Sequence, residues 1–264
     1  MKYSVLSYIL LFALCLPFGP ASGKVDLDGI VRKGIAASES GDNKTAVMYF
    51  TKVIEHPVMK TAVDHSAHLR SLRARSYLLL GQFRKAIEDA TQGILIRRAS
   101  VLIGSDHMVF YYRGAARLQI GEIDLAIQDF DEALNINPQF FNALGDRAVA
   151  HMKRNDIEQA KMDMLAALDI EPDFFQANHG LGAIFVKKKE YRLAIKYLNS
   201  AIRIYPSFAP SYIARGQARY GLGLKKSGDR DFQKACELGF TPTDAAAGTL
   251  EDWQDNCTKT TDTQ

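Results

Sequence analysis

A spacing of small, aromatic and proline residues recurs along this chain with a period of 34 residues. The stretch GEIDLAIQDFDEALNINP at 121–138 shows it in full, as Gly-x4-Ala-x3-Phe-x2-Ala-x4-Pro. The corresponding residues one and two periods later are Asn155, Ala160, Met164, Ala167 and Pro172, then Lys189, Ala194, Leu198, Ala201 and Pro206. Self-similarity at a fixed period of this length is typical of proteins built from stacked copies of one structural unit.

The pattern resembles the tetratricopeptide repeat family, whose unit is a helix–turn–helix of 34 residues. The resemblance implies an all-α fold, a right-handed superhelical α-solenoid with a C-terminal capping helix. We place six units within a repeat region of 24–242, at 27–60, 67–100, 107–140, 141–174, 175–208 and 209–242. Six-residue insertions, 61–66 and 101–106, separate the first three units, and the last four abut.

Small residues occupy positions 8 and 20 of the units, where the two helices of a hairpin are expected to approach closely. Position 8 is Gly or Ala in all six units, and position 20 is Ala in five of them. A larger side chain there would overpack the contact, at a cost of about 1–3 kcal/mol. Pro138, Pro172 and Pro206 are expected to follow the second helix of their units, because proline cannot continue a helix.

Position 7 is arginine in four units, and an aspartate follows each arginine 16 residues later, at position 23. The two positions lie eight residues on either side of a turn centred on position 15, so they are expected to face each other. We therefore predict four structural pairs, in preference to a catalytic or phosphate-binding role for the arginines. The pairs are Arg73 with Asp89, Arg113 with Asp129, Arg147 with Asp163, and Arg215 with Asp231.

Residues 1–23 have the pattern of a signal peptide, with a lysine, an apolar run at about 5–18, and small residues before the expected cleavage after Gly23. The run is shorter than the roughly 20 residues that span a membrane as a helix. We therefore expect an exported protein, periplasmic or secreted. An uncleaved membrane anchor and a lipoprotein signal at Cys15 are the alternatives.

The C-terminal residues 243–264 contain no seventh repeat. We predict a short capping helix there, with Leu250 and Trp253 on one face, followed by a flexible tail. After cleavage of the signal peptide the chain keeps Cys236 and Cys257, and an oxidising compartment favours a disulfide between them. Two unpaired thiols are the alternative.

Composition and motifs give no indication of catalysis or of nucleic-acid binding. The 33 basic and 30 acidic residues give a net charge of +3, which is too balanced to indicate nucleic acid or anionic membrane as the main partner. The motifs HExxH, GxSxG and GxxxxGK[ST] do not occur. His65 and His68 have no further ligands near them in sequence, so we favour a solvated loop over a metal site. We expect no enzyme activity, no metal and no cofactor, and membrane contact only through an uncleaved N-terminal segment.

In this family, positions 2, 5, 9, 12 and 13 of each unit line a concave groove that binds a partner protein. The resemblance implies a groove that binds a peptide or a helix, with these positions as candidate contacts. The candidates are His68, Arg75, Leu79, Met108, Tyr111, Leu118, Asn142, Val149, Met152, Gln176 and His179. Helix packing is the alternative role for Met108, Tyr111 and Leu118. The lysine that chaperone-binding relatives carry at position 5 is absent from all six units.

The sequence therefore predicts a non-enzymatic scaffold or adaptor for protein–protein interaction. It is similar to periplasmic members of the family that support cell-envelope assembly. A self-associating structural protein and an accessory subunit of an envelope enzyme complex are the alternatives. The repeat motif is specific for the fold and does not identify the partner.

Overall fold

The computed structural model describes residues 25–60, 62–99 and 106–240. Within these ranges twelve α-helices form six hairpins, in which each first helix packs against the second helix that follows it. The predicted all-α helical-repeat fold is therefore confirmed. The chain divides into two compact units, Met1–Pro138 and Gln139–Gln264, which are described separately.

The first unit contains three hairpins in its described residues. Their helices are α1 (Leu27–Glu39), α2 (Asn43–Ile54), α3 (Val63–Leu79), α4 (Phe83–Ala99), α5 (His107–Gln119) and α6 (Ile123–Ile136), with a short 3-10 helix at Pro57–Lys60. The first insertion thus contributes an extra turn to α3. The prediction of a solvated loop for His65 and His68 is wrong, because both lie on this helix, whose neighbouring Ser66 and Ala67 are buried.

The second unit also contains three hairpins in its described residues. Their helices are α7 (Phe141–Lys153), α8 (Ile157–Ile170), α9 (Phe175–Lys187), α10 (Tyr191–Ile204), α11 (Ala209–Gly221) and α12 (Lys225–Glu237). Pro172 and Pro206 follow the last residues of α8 and α10 by two positions, which agrees with their expected effect on the second helix.

A residue with left-handed backbone geometry closes the first helix of every hairpin at position 15. The φ angles are 86° at Gly41, 70° at Gly81, 82° at Gly121, 68° at Asn155, 60° at Lys189 and 75° at Gly223. Glycine adopts this geometry without steric cost from a Cβ atom. The turn is equally short in all six hairpins, so residues at equal distances before and after position 15 face each other.

Large buried side chains fill the space that small residues leave inside the hairpins. A Cβ atom on Gly114 would lie 2.9 Å from Phe130 Cε1, and one on Gly182 would lie 2.4 Å from Leu198 Cγ. Phe130 and Leu198 are fully buried. The residue at position 8 must therefore stay small where the residue at position 24 is large.

Some predictions concern residues outside the described ranges, namely the signal peptide at 1–23, the capping helix and tail at 243–264, and Cys257. Cys236 on α12 is disulfide-bonded, and its predicted partner lies outside the described residues. Among the helices that the structure describes, none combines the length and the apolar character needed to cross a membrane.

Candidate functional site

The first helices of neighbouring hairpins contact each other within each unit, α3 with α5 and α9 with α11. The second helices instead contact the first helix of the next hairpin, α4 with α5 and α10 with α11. These first helices therefore lie side by side, as the helices that line the inner side of a helical-repeat protein do. We define the inner face of a unit as the surface formed by positions 2, 5, 9, 12 and 13 of its first helices.

On the inner face of the first unit, α3 presents Arg75 and Leu79 one turn apart on the same side of the helix. The Leu79 side chain is 57% exposed. Arg75 is partly buried, and its Nη1 donates a hydrogen bond to Ser38 Oγ at 3.2 Å. Burial raises the pKa of Tyr112 on α5, and the positive charge of Arg75 opposes this rise.

Arg75 differs from the other arginines of α3 and α5 in its electrostatic environment. The other four each pair with an aspartate: Arg70 and Arg73 with Asp89, and Arg113 and Arg117 with Asp129. Arg75 has no carboxylate partner among the described residues. Since a guanidinium has five N–H donors, Arg75 keeps donors that an acceptor from another molecule can use.

Three other candidates, His68, Met108 and Tyr111, lie on α3 and α5. His68 Nδ1 lies 3.7 Å from Asp106 Oδ2, and Asp106 caps α5 by accepting a hydrogen bond from the backbone N–H of Met108 at 3.0 Å. The ring centroid of Tyr111 lies 6.1 Å from that of Phe130. His68, Met108 and Tyr111 are partly buried. Tyr111 therefore takes part in helix packing, and part of its surface remains accessible.

Leu118 is only 6% exposed, so the structure does not support it as a groove residue. The equivalent residue of the preceding hairpin, Leu78, packs against a cluster that includes Val109 and Tyr112 of the next hairpin. Leu78 therefore faces the following repeat of its own unit. Full burial of a leucine side chain at such a contact contributes about 1.5–3 kcal/mol.

The candidate residues of the second unit lie on α7 and α9. Gln176 is exposed, and the partly buried candidates are Asn142, Val149, Met152 and His179. His179 Nδ1 lies 3.0 Å from Ser211 Oγ, and its ring stacks on Phe175 and meets Phe208 edge-on. Burial lowers the pKa of His179, so this ring is neutral at pH 7 and acts as a hydrogen-bonding aromatic group.

The arginine at position 7 and the aspartate at position 23 are in contact in all four hairpins where they occur together. The N···O distances are 2.6 Å for Arg73–Asp89, 2.7 Å for Arg113–Asp129, 2.6 Å for Arg147–Asp163 and 2.6 Å for Arg215–Asp231. Each arginine donates from both Nε and Nη2, and all four aspartates are buried. This paired geometry is the strong form of a charge-assisted hydrogen bond.

A second arginine, at position 11, reaches the same aspartate in two hairpins, which the pattern at positions 7 and 23 did not predict. Arg117 Nη1 donates to Asp129 Oδ2 at 2.8 Å, and Arg219 Nη1 donates to Asp231 Oδ2 at 2.7 Å. Burial raises the pKa of Asp129, and Arg113 and Arg117 oppose the rise. Positions 11 and 19 lie four residues on either side of the turn, so the same symmetry would have placed these arginines inside the hairpin.

The arginine at position 7 also hydrogen-bonds to the preceding hairpin of its unit. Its Nη1 donates to the side chain at position 25, which is Thr51 for Arg73 (2.8 Å), Thr91 for Arg113 (3.4 Å) and Asn199 for Arg215 (2.7 Å). Where position 7 is Leu181, position 25 of the preceding repeat is Leu165, which has no acceptor. In these three hairpins the arginine therefore links its aspartate to the neighbouring repeat of the same unit.

Replacing Thr51 by valine is expected to lower the free energy of unfolding by about 1.5 kcal/mol, because a partly buried guanidinium loses an acceptor. Thr91→Val is expected to cost less, since its 3.4 Å contact lies beyond ordinary hydrogen-bond distances. Urea unfolding of both variants measures the difference. An equal or reversed order would contradict a stabilising link through position 25.

A sequence model of the tetratricopeptide repeat matches residues 71–139 and 146–207, about half of the chain. No curated protein sequence matches this chain.

Solved structures of low sequence identity share the fold. One is MamA of Desulfovibrio magneticus RS-1, residues 41 to the end, at 19% identity and a TM-score of 0.56, over 66% of this chain and 94% of that one. A second is YrrB, a repeat protein of this type described as having an unusual peptide-binding site, at 15% identity and 0.52, over 70% of this chain and 90% of that one. A third is the APC/C hetero-tetramer Cut9–Hcn1, at 16% identity and 0.69, over 88% of this chain and 42% of that one. At these identities the likeness establishes the fold alone.

Proposed function

Because the chain belongs to the tetratricopeptide repeat family, we propose that it is a non-catalytic scaffold that binds a segment of a partner protein on the inner face of its first unit. Proteins of stacked helical repeats present extended surfaces of this kind to their partners. The peptide-binding site of YrrB supports the proposal, since that protein has the same fold.

The proposal rests on one observation, the absence of a carboxylate partner for Arg75 among the described residues. The guanidinium stands on the inner face and pairs with no carboxylate of the described chain, in contrast to the other arginines of α3 and α5. A carboxylate of the partner completes the pairing, and a charge-assisted hydrogen bond at a partly buried site is stronger than a neutral one. Leu79, exposed one turn away, supplies an apolar contact for the same segment.

The spacing of Arg75 and Leu79 determines how far apart the acidic and the apolar side chain of the bound segment must be. One helical turn separates Arg75 from Leu79 by about 6 Å along α3. Side chains two residues apart on one side of an extended peptide have a similar spacing of about 6.7 Å, as do those four residues apart on a helix. The proposed ligand is therefore a peptide or helix with an acidic residue and a large apolar residue at one of these spacings.

The proposed site of action is outside the cytoplasm, in the cell envelope. The support for this location is the signal-peptide pattern of residues 1–23. N-terminal sequencing of the protein from its native cell tests the location. A start at Lys24 agrees with export, and an intact Met1 in the cytosolic fraction contradicts it.

Replacing Arg75 by glutamate is expected to abolish capture of the partner by the tagged protein in its native cell, because the new carboxylate repels the acidic residue of the segment. Lys85→Glu is the matched control, since it makes the same charge change on the exposed side of α4. Quantitative mass spectrometry of the captured proteins measures the effect. Partners that bind both variants as well as the unmodified chain would contradict a carboxylate-binding role for Arg75.

A further inference from the structure

The turns of the last two hairpins form an exposed apolar patch in the second unit. A pocket of about 310 Å³ is lined by Tyr191, Leu193 and Leu222, together with Lys189, Glu190 and Arg192. The exposed fractions are 42% for Leu193, 38% for Leu222 and 51% for Leu224. We call Tyr191, Leu193, Leu222 and Leu224 the turn patch.

The two turns are held together by close packing, so the turn patch is a defined surface of this unit. A Cβ atom on Gly221 would lie 2.3 Å from Tyr191 Cε2, which places the Tyr191 ring directly against the end of α11. Leu222 and Leu224 flank Gly223, whose φ of 75° closes the next turn. Exposed leucines gathered at one place indicate an interaction surface more strongly than scattered ones do.

The rim of the turn patch is basic. The pocket lining includes Lys189 and Arg192, and Lys225 and Lys226 follow Leu224 at the start of α12. All four are exposed, and none forms an ion pair within the described part of the chain. The acidic residues nearby are Glu190 in the pocket lining, Asp229, which accepts a hydrogen bond from Tyr220, and Glu158, whose charge is paired with Lys161 and Lys188. The surface therefore suits an acidic segment that carries large apolar side chains.

The chain itself contains such a segment beyond the described residues. Residues 241–264 hold five acidic residues and one basic residue, and Leu250 is followed by Glu251, Asp252 and Trp253, the sole tryptophan of the chain. We propose that this segment docks on the turn patch of its own molecule, with Leu250 and Trp253 against the leucines and the acidic residues on the basic rim.

The length of the segment permits this contact. The 13 residues of α12 extend about 20 Å, with Leu224 before the first residue and Phe240 three residues after the last. Ten residues lead from Phe240 to Leu250 and span up to about 33 Å. A disulfide from Cys236 to Cys257 is compatible, because the seven residues back to Leu250 reach about 23 Å. The tether also gives the segment a high effective concentration at the patch.

The fluorescence of Trp253 in the full chain tests the proposal, since no other residue contributes tryptophan emission. We expect Leu193→Asp to shift the docked–open equilibrium about tenfold toward the open form, the factor associated with partial burial of one leucine. Arg192→Glu is expected to act in the same direction, and raised salt to weaken docking by screening the rim charges. In each case the emission moves to longer wavelength and acrylamide quenches it more strongly.

Leu125→Asp is the matched control, because Leu125 occupies the same repeat position in the first unit and is also exposed, but lies beside the acidic Glu122 and Asp124. We expect it to leave the emission unchanged, and circular dichroism checks that all variants are folded. Combining Arg192→Glu with Asp252→Lys is expected to restore the quenching of the unmodified chain.

Three outcomes would overturn the proposal. The first is Trp253 emission that does not respond to Leu193→Asp or Arg192→Glu. The second is emission that changes on dilution, which would place the segment on a second copy of the chain. The third is a patch-dependent change that requires vesicles of phosphatidylglycerol, which would make the turn patch a membrane-binding surface. None of these outcomes bears on Arg75, so the two proposals are tested independently.

Discussion

Replacing Asp129 by alanine is expected to lower the free energy of unfolding by about 3–5 kcal/mol. The carboxylate is buried and accepts hydrogen bonds from Arg113 and Arg117, at 2.7 and 2.8 Å. Its removal leaves two partly buried guanidinium groups that repel each other without a counter-charge. The loss therefore reflects stranded charges more than the net contribution of the intact pair. Urea unfolding followed by circular dichroism measures it.

Glu132→Ala is the matched control for this substitution, because Glu132 lies on the same helix and is exposed. A change within about 0.5 kcal/mol is expected there, as for most surface substitutions. If Asp129→Ala cost no more than Glu132→Ala, the Arg–Asp contacts would have the small value of surface ion pairs. Their recurrence in four hairpins would then have no explanation in stability.

Replacing Leu198 by alanine is expected to lower the free energy of unfolding by about 2–5 kcal/mol, the range for a leucine removed from a close-packed core. Leu198 is fully buried and fills the space above Gly182, which has no side chain of its own to occupy a cavity there. The cavity is therefore expected to persist, and the loss to lie in the upper half of this range. The same unfolding measurement applies.

Met162→Ala serves as the control for Leu198, because Met162 is an apolar residue on α8 of the same unit and is exposed. We expect its substitution to change the stability by less than about 0.5 kcal/mol. Similar losses for the two variants would show that the hairpin tolerates a cavity, and that positions 8 and 24 do not have to be complementary in size.

The hairpins and their internal pairs follow from the sequence, because both depend on one turn. Once position 15 is known, Arg113 and Asp129 are placed at equal distances from it, and their contact follows from the antiparallel arrangement of the two helices. The same reasoning places Arg117 inside its hairpin. Its role is harder to recognise, because other units have Tyr77, His151 and Phe185 at position 11.

Features that depend on contact between repeats did not follow from the sequence. Thr51 accepts a hydrogen bond from Arg73 across a boundary between hairpins, and the spacing inside one repeat contains no information about that boundary. The groove prediction for Leu118 fails because the side chain is only 6% exposed, and the spacing inside one repeat does not report burial. The sequence also did not predict that Arg75 lacks a carboxylate partner, because this depends on which aspartates the neighbouring arginines contact.

A photo-crosslinking amino acid at position 79 or position 95, introduced into the protein in its native cell, tests the central claim most directly. Leu79 and Leu95 belong to the same hairpin and are similarly exposed, at 57% and 52%, but Leu79 lies on the inner face and Leu95 on the second helix. We expect a crosslinked partner from position 79 that is absent from position 95 and is lost when Arg75→Glu is added. A partner captured from position 95 alone, or from position 79 regardless of Arg75, would contradict binding on the inner face through a carboxylate.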